Sequence, residues 1–281
     1  MARFRIALAL LAVMVFAAVV IAAAFYWKEY WRPQNTVNRQ IAGGGTTKTN
    51  APDIGKRHFD GAISLIKEGE LISARDRLVY LLTYFPESPS AFEARRILGE
   101  INMDLLISKQ PMPGKSEYIV KRGDALVSIA RRSKTTIDYI MRSNGKTTAL
   151  IYPDEKLVVS ELDHNVLIDL KSNLLTIQKG EEFVKQYAIL DTNLPPSVRS
   201  KTSTSVSEKV AWYDGRAVNF TDKNYLHCTK WIRTGKTGLF IRQHRPDVKV
   251  EEGSAKPFGV MIAGSDLEEL FTVLTNGSVV R

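Results

Sequence analysis

The sequence is almost without cysteine. Cys228 is the only thiol in 281 residues, so no intramolecular disulfide can form and the folded parts must hold by packing. No Cys, His, Asp or Glu spacing matches a metal site, and no glycine-rich phosphate loop is present. Nothing in the sequence implies a cofactor. Basic runs are missing as well. The net charge is +9, yet Lys and Arg are scattered among acids with no run of five. That argues against a nucleic-acid partner and fits general attraction to an anionic polymer or lipid surface.

Long apolar runs occur once. Ile6 to Trp27 carries no charge and ends in aromatics. A helix of about 22 residues spans about 33 Å, the thickness of a bilayer's hydrocarbon. Arg3 and Arg5 precede it, and Phe25, Tyr26, Trp27, Tyr30 and Trp31 sit at its far end, where amphipathic rings suit the interface. Residues 1–31 therefore read as a single-pass signal anchor with the bulk of the chain exported. The rival is a cleaved signal peptide, with small residues at Ala22-Ala23-Ala24. The run is longer than the usual apolar core of about 7–15 residues.

Residues 32–53 read as a flexible linker, polar and holding Gly43-Gly44-Gly45. Residues 54–108 have helical periodicity. Phe59, Ala62, Ile63 and Ile66 make one stripe, Gly69 ends that helix, and Leu71, Ala74, Leu78, Leu81 and Leu82 make the next. Ser88 is the expected N-cap of a third helix with Pro89 at its first turn. The unit resembles a single tetratricopeptide repeat. One repeat cannot bury both faces, so a small helical spacer packed on its neighbours is the reading favoured here. Pro111, Pro113 and Gly114 mark a hinge before the next module.

Residues 118–160 read as strand, helix, helix, strand. Asp124 is the expected cap of the first helix and Thr135 or Thr136 of the second. Leu126, Ile129, Ala130, Ile137, Ile140 and Met141 face inward, and Leu157-Val158-Val159 ends the module. The pattern Tyr118-x-Val120-x-x-Gly123-Asp124-x-Leu126-x-x-Ile129-Ala130, then Ile140-x-x-x-Asn144, then Ile151-x-Pro153-x-x-x-Leu157 resembles the LysM family. The resemblance implies a βααβ fold that binds N-acetylglucosamine-containing glycans, mainly peptidoglycan. It places the binding loops at Gly123, Asp124, Ala125 and Leu126 and at Ile151, Tyr152, Pro153 and Asp154. Asp154 stands where the family often has a turn glycine, which Asp tolerates better than most residues.

From Asn165 the pattern becomes β-rich, as in a sandwich or barrel. Val166, Ile168 and Leu170 alternate, a turn falls at Ser172-Asn173, and Leu174, Leu175 and Ile177 follow. A turn at Lys179-Gly180 leads to Phe183, Val184, Tyr187 and Ile189. Ser265-Asp266 is the expected cap of a helix over Leu267 to Leu274, closed by Asn276-Gly277. The opening and the stretch Ser265-Asp266-x-x-Glu269-Leu270-Phe271-x-x-Leu274-x-x-Gly277-Ser278-Val279-Val280 resemble the L,D-transpeptidase family. That family's Ser-His-Gly-Cys-Ile-Arg-Met motif falls on Pro257-Phe258-Gly259-Val260-Met261-Ile262-Ala263. Val260 replaces the nucleophile, Phe258 the histidine and Ile262 the arginine, and Arg242 takes the place of an upstream histidine. A valine cannot attack a carbonyl, so the resemblance implies a pseudoenzyme with no catalytic residue at these positions. The alternative is an active cross-linking enzyme with a relocated nucleophile at Cys228, but His227 as its strand neighbour would point to the opposite face. The acid pairs Glu181-Glu182, Glu251-Glu252 and Glu268-Glu269 read as solvated surface.

The expected whole is a multidomain α+β chain. It has an N-terminal transmembrane helix, a tetratricopeptide-like helical spacer, a βααβ LysM module and a mostly-β transpeptidase-like domain over 165–281. These resemblances imply a bacterial inner-membrane protein with its bulk outside the cytoplasm. Its partners would be the membrane, peptidoglycan glycan strands and, as one option, an active cell-wall enzyme.

Overall fold

The computed structural model describes residues 53–198, 202–245 and 257–281. The expected anchor, the linker up to Pro52 and the pair Glu251-Glu252 lie outside the described residues. No helix among the described residues is long and apolar enough to cross a membrane.

Three helices open the described chain: α1 (Ile54–Lys67), α2 (Leu71–Tyr84) and α3 (Ala91–Ile107). Small residues at the crossings, Ala62, Ala74 and Ala94, let the backbones approach, and Leu78, Leu81 and Leu98 fill the space between. Gly69 turns the chain at φ +82°, as its position predicted. Ser88 does not cap α3 directly. Its hydroxyl donates to Asp53 at 3.0 Å and accepts the Ser90 N–H at 3.2 Å, and Ala91 N–H bonds back to Ser88 C=O, so a turn precedes the helix.

α3 then lies on the sheet that follows much later in sequence. Asn102 Nδ2 donates to Val184 C=O at 2.9 Å, and Arg75 pairs with Glu182 at 2.7 Å. The spacer is thus a packed layer of the fold, as one repeat with two apolar faces requires.

The second unit is β1 (Lys115–Ile119), α4 (Leu126–Arg132), α5 (Ile137–Ser143) and β2 (Lys156–Ser160), with β1 and β2 antiparallel and Tyr118 opposite Leu157. β1 begins inside the expected hinge. The Lys115 N–H bonds to Met112 C=O, and the Lys115 ammonium donates to Leu105 C=O at 2.5 Å and to Ser108 C=O at the end of α3. Leu126, Ile129, Ile140 and Leu157 form this unit's core.

Twelve strands in all lead to a ten-stranded mixed sheet: β3 (Asn165–Asp169), β4 (Leu174–Lys179), β5 (Glu182–Ala188), β6 (Asp191–Asn193), β7 (Thr204–Tyr213), β8 (Arg216–Val218), β9 (Thr229–Thr234), β10 (Phe240–Gln243), β11 (Gly259–Ile262) and β12 (Val279–Val280). The path runs β5-β4-β3-β12-β7-β9-β10-β11-β6, with β8 on β7. β12 on β3 and β11 on β10 are parallel pairs. After β11, α6 (Gly264–Val273) carries the chain to β12. The alternating residues of β3 and β4 and the apolar face of α6 make one core, including Val166, Leu175, Ile177, Leu267, Leu270 and Phe271. Asn173 at φ +54° and Gly180 at φ +61° make the expected turns. α6 starts three residues earlier than the sequence implied, after Ala263, so Ser265 and Asp266 occupy its first turn and cap nothing. Asp214 and Gly215 close the β7–β8 hairpin with φ of +50° and +74°, the pattern of a type I′ turn.

Candidate functional site

Two loops meet at one end of the β1–β2 pair. Asp154 N–H donates to Val120 C=O at 2.8 Å, and Val120 N–H donates to Glu155 C=O at 2.9 Å. These bonds hold the end of β1 against the second loop, and Leu126 and Ile151 from the two loops pack in one apolar cluster. Gly123 has φ +87° and Asp154 φ +68°, so both loops use the left-handed region at their tightest point. Asp154 does what the sequence asked of it in place of glycine.

Asp124 does not cap α4, because Ala125 is the N-cap. Asp124 ties the first loop instead: its carboxylate accepts the Lys121 N–H at 2.9 Å, the Tyr118 hydroxyl at 2.8 Å and the Arg132 guanidinium. The Lys121 amide and Arg132 hold its pKa down to about 2. Ser128 Oγ takes over part of the capping by accepting the Ala125 N–H at 3.2 Å. Arg132 was missed from sequence, since its role depends on the last turn of α4 returning over the Tyr118 ring at 5.4 Å. In the second helix Thr136 is the cap, accepting the Tyr139 N–H at 2.9 Å, and Thr135 is not.

Leu126 is buried and serves the core. Tyr152 is 60 % exposed beside Pro153, and Leu150 is exposed next to it. The Tyr152 N–H donates to the Glu155 carboxylate at 3.1 Å, which in turn holds Lys146 at 2.5 Å. The result is a rigid pair of loops with backbone groups and an exposed aromatic face. Such a surface offers amide and carbonyl partners to hydroxyl groups and an apolar face to a sugar ring.

Residues 118–160 match the LysM domain. The LysM unit is one part of a chain that is also similar to solved L,D-transpeptidases. These include one from Stackebrandtia nassauensis, at 14% identity over 43% of this chain and 56% of that one, with a TM-score of 0.31. A cysteine-to-serine mutant from Enterococcus faecium is 16% identical over 43% and 52%, with a TM-score of 0.28. An L,D-transpeptidase from Mycobacterium smegmatis is 9% identical over 45% and 62%, with a TM-score of 0.28. The chain thus spans roughly half to three fifths of the length of these proteins. No curated protein matches the sequence.

Outside the LysM unit, Val260 and Ile262 lie on β11 with no exposure, inside the sheet core. Arg242 lies on the adjacent β10, level with Met261, while Phe258 precedes β11 and is 45% exposed. The structure therefore brings Arg242, Val260 and Ile262 onto neighbouring strands and leaves Phe258 at the surface. Arg242 Nη2 donates to Pro257 C=O at 2.8 Å, and burial lowers its pKa although Asp191 opposes the shift. His244 N–H is bonded to Ile262 C=O at 2.8 Å.

Cys228 sits elsewhere, after a 3-10 turn over Tyr225–His227, and not on a strand beside His227 as the sequence reading assumed. Its thiol donates to Tyr225 C=O at 2.9 Å, and burial raises its pKa. Glu268 and Glu269 are not simply solvated. Glu268 pairs with buried Lys230 at 2.7 Å and Glu269 with buried Lys185 at 2.8 Å, so neither is a free acid.

Proposed function

We propose that this chain is a peptidoglycan-binding protein of the bacterial envelope, anchored in the inner membrane by residues 1–31. The LysM unit holds N-acetylglucosamine-containing glycan between loops 123–126 and 151–154. The observation that carries this reading is the closure of those two loops through Val120 beside exposed Tyr152. LysM domains bind such glycans. A single small site binds weakly, and tethering near the wall raises the effective concentration it meets.

The C-terminal domain serves in this reading as a scaffold, a stem-peptide binder or a platform for an active cell-wall enzyme, without acyl transfer of its own. Val260 offers no nucleophile and is packed among apolar neighbours. Cys228 donates to a carbonyl, and its raised pKa disfavours the thiolate.

Retention on purified sacculi tests the first part. The full chain is expected to co-sediment, and Tyr152→Ala to weaken retention severalfold, because a sugar ring loses an aromatic face worth about 1 kcal/mol. Wild-type protein left wholly in the supernatant ends the glycan reading. A new stem-peptide cross-link that vanishes in Cys228→Ala overturns the inactive reading.

A further inference from the structure

The molecule holds a concave surface that the glycan loops do not form. A cleft of ≈ 720 Å³ opens where α4 and the start of α5 face β7 and the turn around Tyr225. That volume falls in the small-ligand range of about 300–1,000 Å³.

Its lining carries an unmet polar group. Thr135 is 8 % exposed, and its Oγ1 has no hydrogen-bond partner among the described residues. Thr136 beside it shows the contrast: its hydroxyl donates to Thr272 C=O and accepts the Tyr139 N–H. A buried hydroxyl left unpaired is relieved by any ligand group that bonds it.

The charges of the lining sort themselves. Lys134 is taken by Glu161 at 2.8 Å, and Lys209 donates to Phe271 C=O at 2.6 Å. Arg131 and Asp163 line the same cleft and form no ion pair among the described residues. Asp138, also in the lining, is held by Tyr225 and Lys230, so Arg131 and Asp163 remain for a ligand. Phe220 and Tyr225 add rings to the wall.

We infer that this cleft binds a short peptide bearing both a carboxylate and an ammonium group. Arg131 takes the carboxylate, Asp163 the ammonium, and Thr135 a backbone amide of the ligand between them. A neutral glycan offers neither charge and leaves Arg131 and Asp163 unmatched. The assignment goes beyond the LysM groove and uses none of its residues.

Calorimetric titration of the full chain in detergent tests it, with the free tetrapeptide Ala-Glu-Lys-Ala as probe and acetylated, amidated tetra-alanine as its uncharged counterpart. The free peptide is expected to bind and the capped one to bind at least tenfold more weakly. Arg131→Ala and Asp163→Ala each remove a charge-assisted contact and are expected to weaken binding by about tenfold or more. Thr135→Val, which keeps the shape, costs about fivefold. Arg131 and Asp163 are exposed, so their variants keep the fold even if a change at buried Thr135 does not. Equal affinity for both peptides, no binding of the free one, or wild-type affinity in the Arg131 and Asp163 variants overturns the inference. Displacement of bound peptide by chitotetraose does so too, by giving the cleft to glycan.

Discussion

The Tyr225 hydroxyl donates to the Asp138 carboxylate at 2.9 Å, and through that bond the LysM unit is tied to the sheet. Asp138 opens α5, Tyr225 belongs to the insertion before β9, and Lys230 reaches the same carboxylate at 3.4 Å. Lys209 stands 4.0 Å from its other oxygen, and burial lowers the Lys209 pKa to about 8 although Asp138 opposes the shift. Around this cluster Arg142 donates to Thr272 Oγ1 at 3.0 Å and Tyr139 to Leu106 C=O at 2.9 Å. The LysM helices thus touch both α3 and α6.

Asp138→Ala removes the carboxylate beside two buried ammonium groups: Lys230 keeps Glu268 at 2.7 Å, while Lys209 is left with no acid partner among the described residues. Leaving buried charge uncompensated costs about 3–5 kcal/mol. Urea unfolding at neutral pH is expected to show a loss of that size, and Tyr225→Phe a loss of only about 1 kcal/mol for one hydrogen bond. Equal losses in the two variants contradict the charge account.

Asn144 ties α5 to β2 from both sides. Its Nδ2 donates to Ile140 C=O at 2.8 Å and Val158 C=O at 2.9 Å, and its Oδ1 accepts the Val158 N–H at 2.8 Å. Asn144→Leu keeps the volume and strands the part-buried Val158 N–H, while Ile140 C=O keeps the backbone N–H of residue 144 and Val158 C=O keeps the Ser143 hydroxyl. The expected loss is about 2–3 kcal/mol. Faster amide exchange at Val158 is the local signature to measure, and unchanged protection there speaks against it.

Gly259 has φ +137°, and a Cβ there meets Phe240 C=O at 2.7 Å. The close approach comes from the parallel pairing of β10 and β11, where Ile241 faces Val260. Gly259→Ala is expected to cost about 2 kcal/mol or more through strain and displacement of β10. A thermal midpoint equal to wild type counts against the strain.

His164 sits in the connection from β2 to β3, only 4% exposed. Burial, with Lys179 adding repulsion, lowers its pKa from 6.5 to about 4. Above pH 6.5 the ring is neutral in both states and its burial carries no protonation cost. As pH falls from 6.5 toward 4 the unfolded chain takes up a proton and the folded chain does not, so stability is lost across that window, by on the order of 3 kcal/mol. Denaturant midpoints at pH 7 and pH 4.5 measure it, and His164→Gln is expected to flatten the difference. A wild-type midpoint independent of pH in this range rules the account out.

The sequence alone determined the local elements and the fold of the LysM unit. Apolar spacing set the helices over Ala62 and Leu78, turn residues such as Asn173, Gly180 and Asp154 placed the bends, and the pattern from Tyr118 to Leu157 gave the βααβ order. Those signals act between residues near in the chain, and they are written in side-chain period and backbone freedom. The Asp214-Gly215 hairpin follows the same rule, but it was not read from the sequence and came to light only in the structure.

Only the tertiary structure decided which charges meet. Asp138 and Tyr225, Lys185 and Glu269, and Lys230 and Glu268 are set by how helices and strands distant in sequence pack, and a polar residue's period does not say what it faces. The reassignment of Asp124 from cap to loop anchor has the same cause. Its preference for a helix start was local, while Tyr118, the Lys121 amide and Arg132 offered it three partners at once, two of them side chains on neighbouring elements.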